Sequence, residues 1–289
     1  MKWLFGFGLV VLFVFTALSP ASAQGFDSPG LRVSPLRTEL TIGPGTTLKS
    51  NLNVTNLTDK NMIVQLSSEL FSVINPEYNY SFTVDTDVTR WVQFETTSVA
   101  LEPGQSQRVS YDIAVPIGAE PGGQYISIFA STDSEQDAGA ITSRQRIASL
   151  LYITVDGDVT RDGSLLSLSH PWWISGKTDW SVNLKNQGTA HFRSRYLVQI
   201  FALVGANPLA QMNGEALVLP GTIRRVTDTF PVPQYPGIYT VIYAIGLGDQ
   251  PAQTETRYIL YVPGWMWLVI GLAAVLSIML IIRRRRPAV

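Results

Sequence analysis

The chain has 289 residues, 46% of them hydrophobic and only 15% charged, with a formal net charge of −1. Setting aside Lys2 and the four arginines at 283–286, acidic groups outnumber basic ones by about six, which excludes the basic face that a nucleic-acid binder needs. The absence of cysteine removes thiolate nucleophiles, thiolate metal sites and disulfides, so an exported domain must rest on its own core.

The amino terminus reads as a secretory signal. Lys2 gives a short positive start, residues 4–18 are apolar, and Ala21-Ser22-Ala23 is a small-residue cleavage site. Residues 1–23 are therefore a signal peptide cut between Ala23 and Gln24. The alternative is an uncleaved anchor, which leaves residues 24–262 outside all the same. An exported chain without disulfides points to a bacterial surface protein.

Period-two alternation dominates residues 24–157. Leu52 and Val54 interleave with Asn51, Asn53 and Thr55; Met62, Val64 and Leu66 follow, then Val109, Tyr111, Ile113 and Val115. Such alternation is what a sheet with one dry face requires. Turns fall between the runs at Gly43-Pro44-Gly45, Glu102-Pro103-Gly104 and Pro121-Gly122-Gly123. Short strands joined by such turns predict a two-sheet sandwich, with residues 125–130, apolar at both parities, as a central strand. The sequons at Asn53, Asn56 and Asn79 are glycan acceptors in a eukaryotic setting. The segment Asn75-Pro76-Glu77-Tyr78-Asn79-Tyr80 breaks the pattern. Tyr78 and Tyr80 form either a stacking surface for a ligand or a loop packed on its own sandwich.

Residues 158–262 begin after a polar joint at Asp156-Gly157-Asp158, whose neighbours Val159, Thr160 and Arg161 lack the oxygen ligands of a calcium loop. The alternation then restarts with Trp180, Val182 and Leu184. Pro103-Gly104 recurs as Pro220-Gly221 and Val115-Pro116 as Val232-Pro233, both 117 residues apart. A long fixed offset with the same order of turns predicts tandem domains of one fold. The whole is all-β, two tandem Ig-like β-sandwiches of ordinary domain size. Trp172 and Trp173, after Pro171, are a binding platform or fill the joint between the modules.

Residues 263–282 read as a transmembrane helix. Within it, residues 265–282 carry no charge and ten strongly apolar side chains. At about 1.5 Å rise per residue the run covers roughly 27 Å, close to a bilayer core. Ten such side chains favour insertion by about 3–6 kcal/mol. Arg283, Arg284, Arg285 and Arg286 mark residues 283–289 as a cytoplasmic basic tail, and Trp265 and Trp267 suit the opposite interface. The expected arrangement is a single-pass type I protein of the cell membrane with its bulk outside.

Catalytic chemistry is missing from the pattern. His170 and His191 have no Ser or Asp partner at a recognisable spacing, and no Gly-x-Ser-x-Gly, His-Glu-x-x-His or phosphate-cradling glycine loop occurs. Asp85 and Asp87, and Asp133, Glu135 and Asp137, read as turn or solvated-edge residues. No enzyme, metal or cofactor is expected.

The opening Val33-Ser34-Pro35, then Gly43-Pro44-Gly45, Asn53-Val54-Thr55-Asn56, Leu101-Glu102-Pro103-Gly104 and Val115-Pro116, followed by a second sandwich, a span and a basic tail, resembles the WxL-interacting protein family of Gram-positive cell surfaces. The resemblance implies a peptidoglycan-binding first module and a second module that engages surface or host proteins; it carries no catalytic residues. A rival resemblance is to the periplasmic pilus chaperones, whose two sandwiches bind partner strands by edge addition. A passive stalk is the third reading.

Overall fold

The computed structural model describes residues 30–84, 86–132 and 145–284. The expected signal peptide with its Ala23–Gln24 cleavage point, the carboxylates Asp85, Asp133, Glu135 and Asp137, and the arginines Arg285 and Arg286 lie outside the described residues.

The first module is built from β1 (Leu31–Ser34), β2 (Arg37–Ile42), β3 (Thr47–Asn56), β4 (Met62–Val73), β5 (Tyr80–Thr83), β6 (Val92–Phe94), β7 (Ser98–Leu101), β8 (Ser106–Ala114), β9 (Gly122–Thr132) and β10 (Gln145–Val155). One sheet runs β1-β3-β8-β6; the other runs β2-β10-β9-β4, with β5 and β7 both pairing with β4. The alternating residues close a shared core: Leu52 and Val54 meet Val64, Val109, Ile113 and Ile126. Each such side chain contributes about 1.5–3 kcal/mol on full burial. The central strand β9 has both faces covered from Ile126 to Ala130, so it needs no alternation. Between β1 and β2 the chain changes sheets at Pro35, which has no N–H to offer a ladder. β1 is antiparallel to β3, whereas β2 is parallel to β10.

The second module contains β11 (Gly163–Ser169), β12 (Trp173–Ile174), β13 (Asp179–Asn186), β14 (Phe192–Ala202), β15 (Ala210–Val218), β16 (Ile223–Thr229), β17 (Gly237–Leu247) and β18 (Gln250–Tyr261). Its sheets run β11-β13-β16 and β12-β18-β17-β14-β15. This reproduces β1-β3-β8 and β2-β10-β9-β4-β7, including the parallel pairing of a short early strand with the last one. Trp180, Val182, Leu184, Val198, Val241 and Tyr243 lie in its separate core.

A buried asparagine marks the same place in each copy. Asn56 Nδ2 donates to the carbonyls of Lys60, Leu101 and Glu102, and its Oδ1 accepts from Thr58 N at 2.9 Å. Asn186 Nδ2 donates to Ala190 O at 2.9 Å and Val218 O at 2.8 Å, and its Oδ1 accepts from Gly188 N. The amide nitrogen of Asn56 is thereby enclosed, so this sequon presents no acceptor for a glycan.

The loop at 75–79 joins the modules. Tyr78 inserts between them and packs with Phe71 and Tyr152 of the first and Leu217 and Leu219 of the second. Its hydroxyl accepts from Leu219 N at 2.7 Å and bonds Thr222 Oγ1 at 2.9 Å, while the Arg224 guanidinium lies 3.9 Å from its ring centre. Arg225 pairs with Glu77 at 2.8 Å, and Arg193 bridges to Glu39. The loop therefore does more than cover its own sandwich: the residues that break the alternation form a large part of the contact between the two modules.

After β18 only Val262 and Pro263 precede α1 (Gly264–Arg284). Residues Gly264–Ile281 are long and apolar enough to cross a membrane, and no part of that stretch is buried against the rest of the protein.

Candidate functional site

The change of sheet between β1 and β2 leaves the last strand of the first module half-partnered. β2 covers β10 only from Leu150 to Val155. At that boundary Leu150 N donates to Leu36 O at 2.9 Å. Backbone groups of alternate residues in a strand point to the same side. Arg146 and Ala148 therefore aim their N–H and C=O groups away from β9, and no strand among the described residues pairs with them there. Such an edge is a template for one more strand.

β1 runs beside this half of β10 without pairing with it, tied to it where Leu31 N donates to Gln145 Oε1 at 3.2 Å and Ser149 Oγ to Pro35 O at 2.6 Å. Ile147 turns inward onto the core and Ala148 is small. Arg146 is pinned to the outer face, where it pairs with the buried Glu69 and its guanidinium lies 3.3 Å from the Phe129 ring centre. The equivalent strand β18 is guarded differently. β12 meets only Leu260 and Tyr261, His170 Nε2 bonds Tyr258 O at 3.0 Å, and the Arg257–Glu255 pair stands along the remainder at 3.0 Å. Pro251 is the second residue of that strand. Charge and proline are the devices that keep an edge from pairing, so β10 is the better template of the two.

The aromatic candidates fall in separate places. Tyr78 is only 6% exposed, at the module junction. Tyr80 is half-exposed on β5 and packs edge-on against Phe71, with ring centres 5.5 Å apart. Trp172 and Trp173 lie 6.1 Å apart and are exposed, but at the end of the second module away from the junction. They do not fill the joint between modules, because β11 runs from the junction at Gly163 to the opposite end at Ser169 before the chain reaches them. The four aromatics thus do not form one surface.

A cavity of about 390 Å³ lies at the junction, lined by Glu39, Thr154, Arg161, His191, Arg193 and Asp249. Burial pushes the His191 imidazole down to about 4, so it is neutral at physiological pH, with Nδ1 3.4 Å from the Tyr125 hydroxyl. His170 is also lowered by burial, and its Nδ1 bonds the Tyr243 hydroxyl at 2.7 Å. The His191 ring packs against Tyr125 and Tyr152, with Glu39 as its nearest charge of opposite sign, and the His170 ring packs against Tyr243 and Phe230.

No protein-family model matches the chain, and no curated protein does. Solved structures similar to it include the class 5 fimbriae chaperone CfaA, at 11% identity and a TM-score of 0.42, covering 81% of this chain and 100% of that one. The E. coli chaperone DraB is similar at 13% identity and a TM-score of 0.38, covering 79% and 97%. A chain of the Salmonella enterica SafA pilin–SafB chaperone complex is similar at 14% identity and 0.37, covering 80% and 96%.

Proposed function

We propose that this chain is a non-enzymatic, membrane-tethered cell-surface protein that holds extended segments of partner proteins by strand addition at the open half of β10. The supporting observation is the pair Arg146 and Ala148, whose backbone groups face away from β9 beside a strand partner that begins only at Leu150. An added strand satisfies those groups and extends the sheet. The apolar helix followed by arginines supports a single pass with the carboxy terminus in the cytoplasm and the two Ig-like modules outside.

The test uses the full chain in detergent, incubated with proteins released from the outer surface of the source cells and with purified wall sacculi. A photo-crosslinking residue at Ala148 is expected to join the chain to an extended segment of one surface protein. Ala148→Pro removes an N–H that β9 does not use, so capture is expected to fall at least tenfold with no change in melting temperature. Undiminished capture by Ala148→Pro overturns strand addition at this edge. Retention on sacculi in its place supports wall binding by the first module, and turnover of wall polymer overturns the non-enzymatic reading.

A further inference from the structure

The strand directions sort the surface of the second module into two unlike ends. β11, β14, β16 and β18 run away from the junction, and β13, β15 and β17 run back toward it. Three connections therefore share the far end: residues 170–178, 203–209 and 230–236. Register places the end of β18 there too, since Trp173, Leu260 and Ile238 are neighbours in one row across β12, β18 and β17.

Nearly all the exposed large apolar side chains of the module are at this end. Val204 is 91% exposed, Trp172 70% and Tyr235 67%; Leu203, Leu209 and Tyr258 are exposed as well. Away from it only Leu166 and Ile223 stand out among the described residues of the module. Charge divides the opposite way. Connections 203–209 and 230–236 hold no charged residue and 170–178 holds only Lys177, whereas the junction end carries Asp156, Asp158, Arg161, Asp162 and Asp249. The outer side of β18 follows the same gradient, from Thr254 and Thr256 to Tyr258 and Leu260.

Asp179 and Asp228 border this end on β13 and β16, but its three connections hold no acid, and an apolar, aromatic surface of this kind on a domain otherwise rich in polar surface needs an occupant. The chain exit identifies it. Gly264 begins the helix three residues after Tyr261, and three residues span at most about 10 Å. Whatever touches this end must fit between the module and the bilayer that the helix enters. We propose that the three connections seat in the headgroup region of that bilayer, so that the second module rests on the membrane. Tryptophan and tyrosine favour this layer, and Lys177 suits anionic headgroups. The inference depends on the membrane-spanning reading of α1 but not on strand addition at β10.

The full chain reconstituted in phosphatidylcholine–phosphatidylglycerol vesicles tests it. With no native cysteine, a single nitroxide can be placed by Val204→Cys, Tyr235→Cys, Gln187→Cys at the junction end, or Leu272→Cys in the helix. Collision rates with lipid-soluble oxygen and with an aqueous nickel chelate then report depth. Labels at 204 and 235 are expected to collide more with oxygen, and the label at 187 more with nickel. Nickel-dominated labels at 204 and 235, beside an oxygen-dominated label at 272, overturn the docking and leave the span intact. Labels at 204 and 235 shielded from both reagents overturn it in favour of a protein cover. A nickel-dominated label at 272 removes the span, and the docking with it.

Discussion

Two asparagines and one histidine show how single side chains fix this protein's interior. Asn186 is fully buried and serves two backbone carbonyls and one backbone N–H. Asn186→Ala leaves them dry, at about 1–3 kcal/mol for each group without a partner, and is expected to lower the urea midpoint accordingly. His191 works through charge. Its native value of about 4 lies below the ordinary 6.5, so between these values the unfolded chain binds more protons and stability falls with falling pH. The contribution is complete above pH 6.5 and is lost by about pH 4, amounting to about 3 kcal/mol. Thermal melts across this window are expected to be flatter for His191→Gln than for the native chain. The repeated Asn53-Val54-Thr55-Asn56 and Asn183-Leu184-Lys185-Asn186 carried a readable trace of the paired asparagines. Their partners did not show, because Val218 is 32 residues from Asn186.

At the level of elements, local pattern and long-range pairing part company. Alternation places Leu52, Val109 and Val182 in strands with one dry face, as observed. The open half of β10 is invisible to it, since it arises from where a strand more than a hundred residues earlier changes sheets. The reading of Trp172 and Trp173 as filler for the joint missed for the same reason: only strand order says which end of the module they occupy. Turns separate in a similar way. Gly221 and Gly248 share a left-handed φ, 70° and 74°. A Cβ at Gly221 meets nothing within 4 Å, whereas one at Gly248 meets Arg161 O at 2.2 Å. Gly221→Ala is expected to cost about 1–2 kcal/mol of backbone strain alone. Gly248→Ala adds a steric term of about 1–3 kcal/mol, and paired chemical denaturation curves will separate the two.

Across the whole molecule, the junction makes one body of two repeats. Leu219 is 2% exposed and packs with Tyr78 and Phe71 of the other module. Leu219→Ala is expected to remove about 2–5 kcal/mol, and calorimetry should then resolve two melting transitions in place of one. The loop that makes this contact stood out in the sequence as an interruption, but its partner lies 141 residues further on. The short exit from β18 into the helix also has a mechanical side. If the chain tethers a partner to the membrane as proposed, tension on it enters the second module through Tyr261 and runs lengthwise down β18. The ladder to β17, from Gly237–Tyr261 to Leu247–Gln250, is thereby loaded in shear. Its bonds would share the pull and yield together rather than unzip one by one.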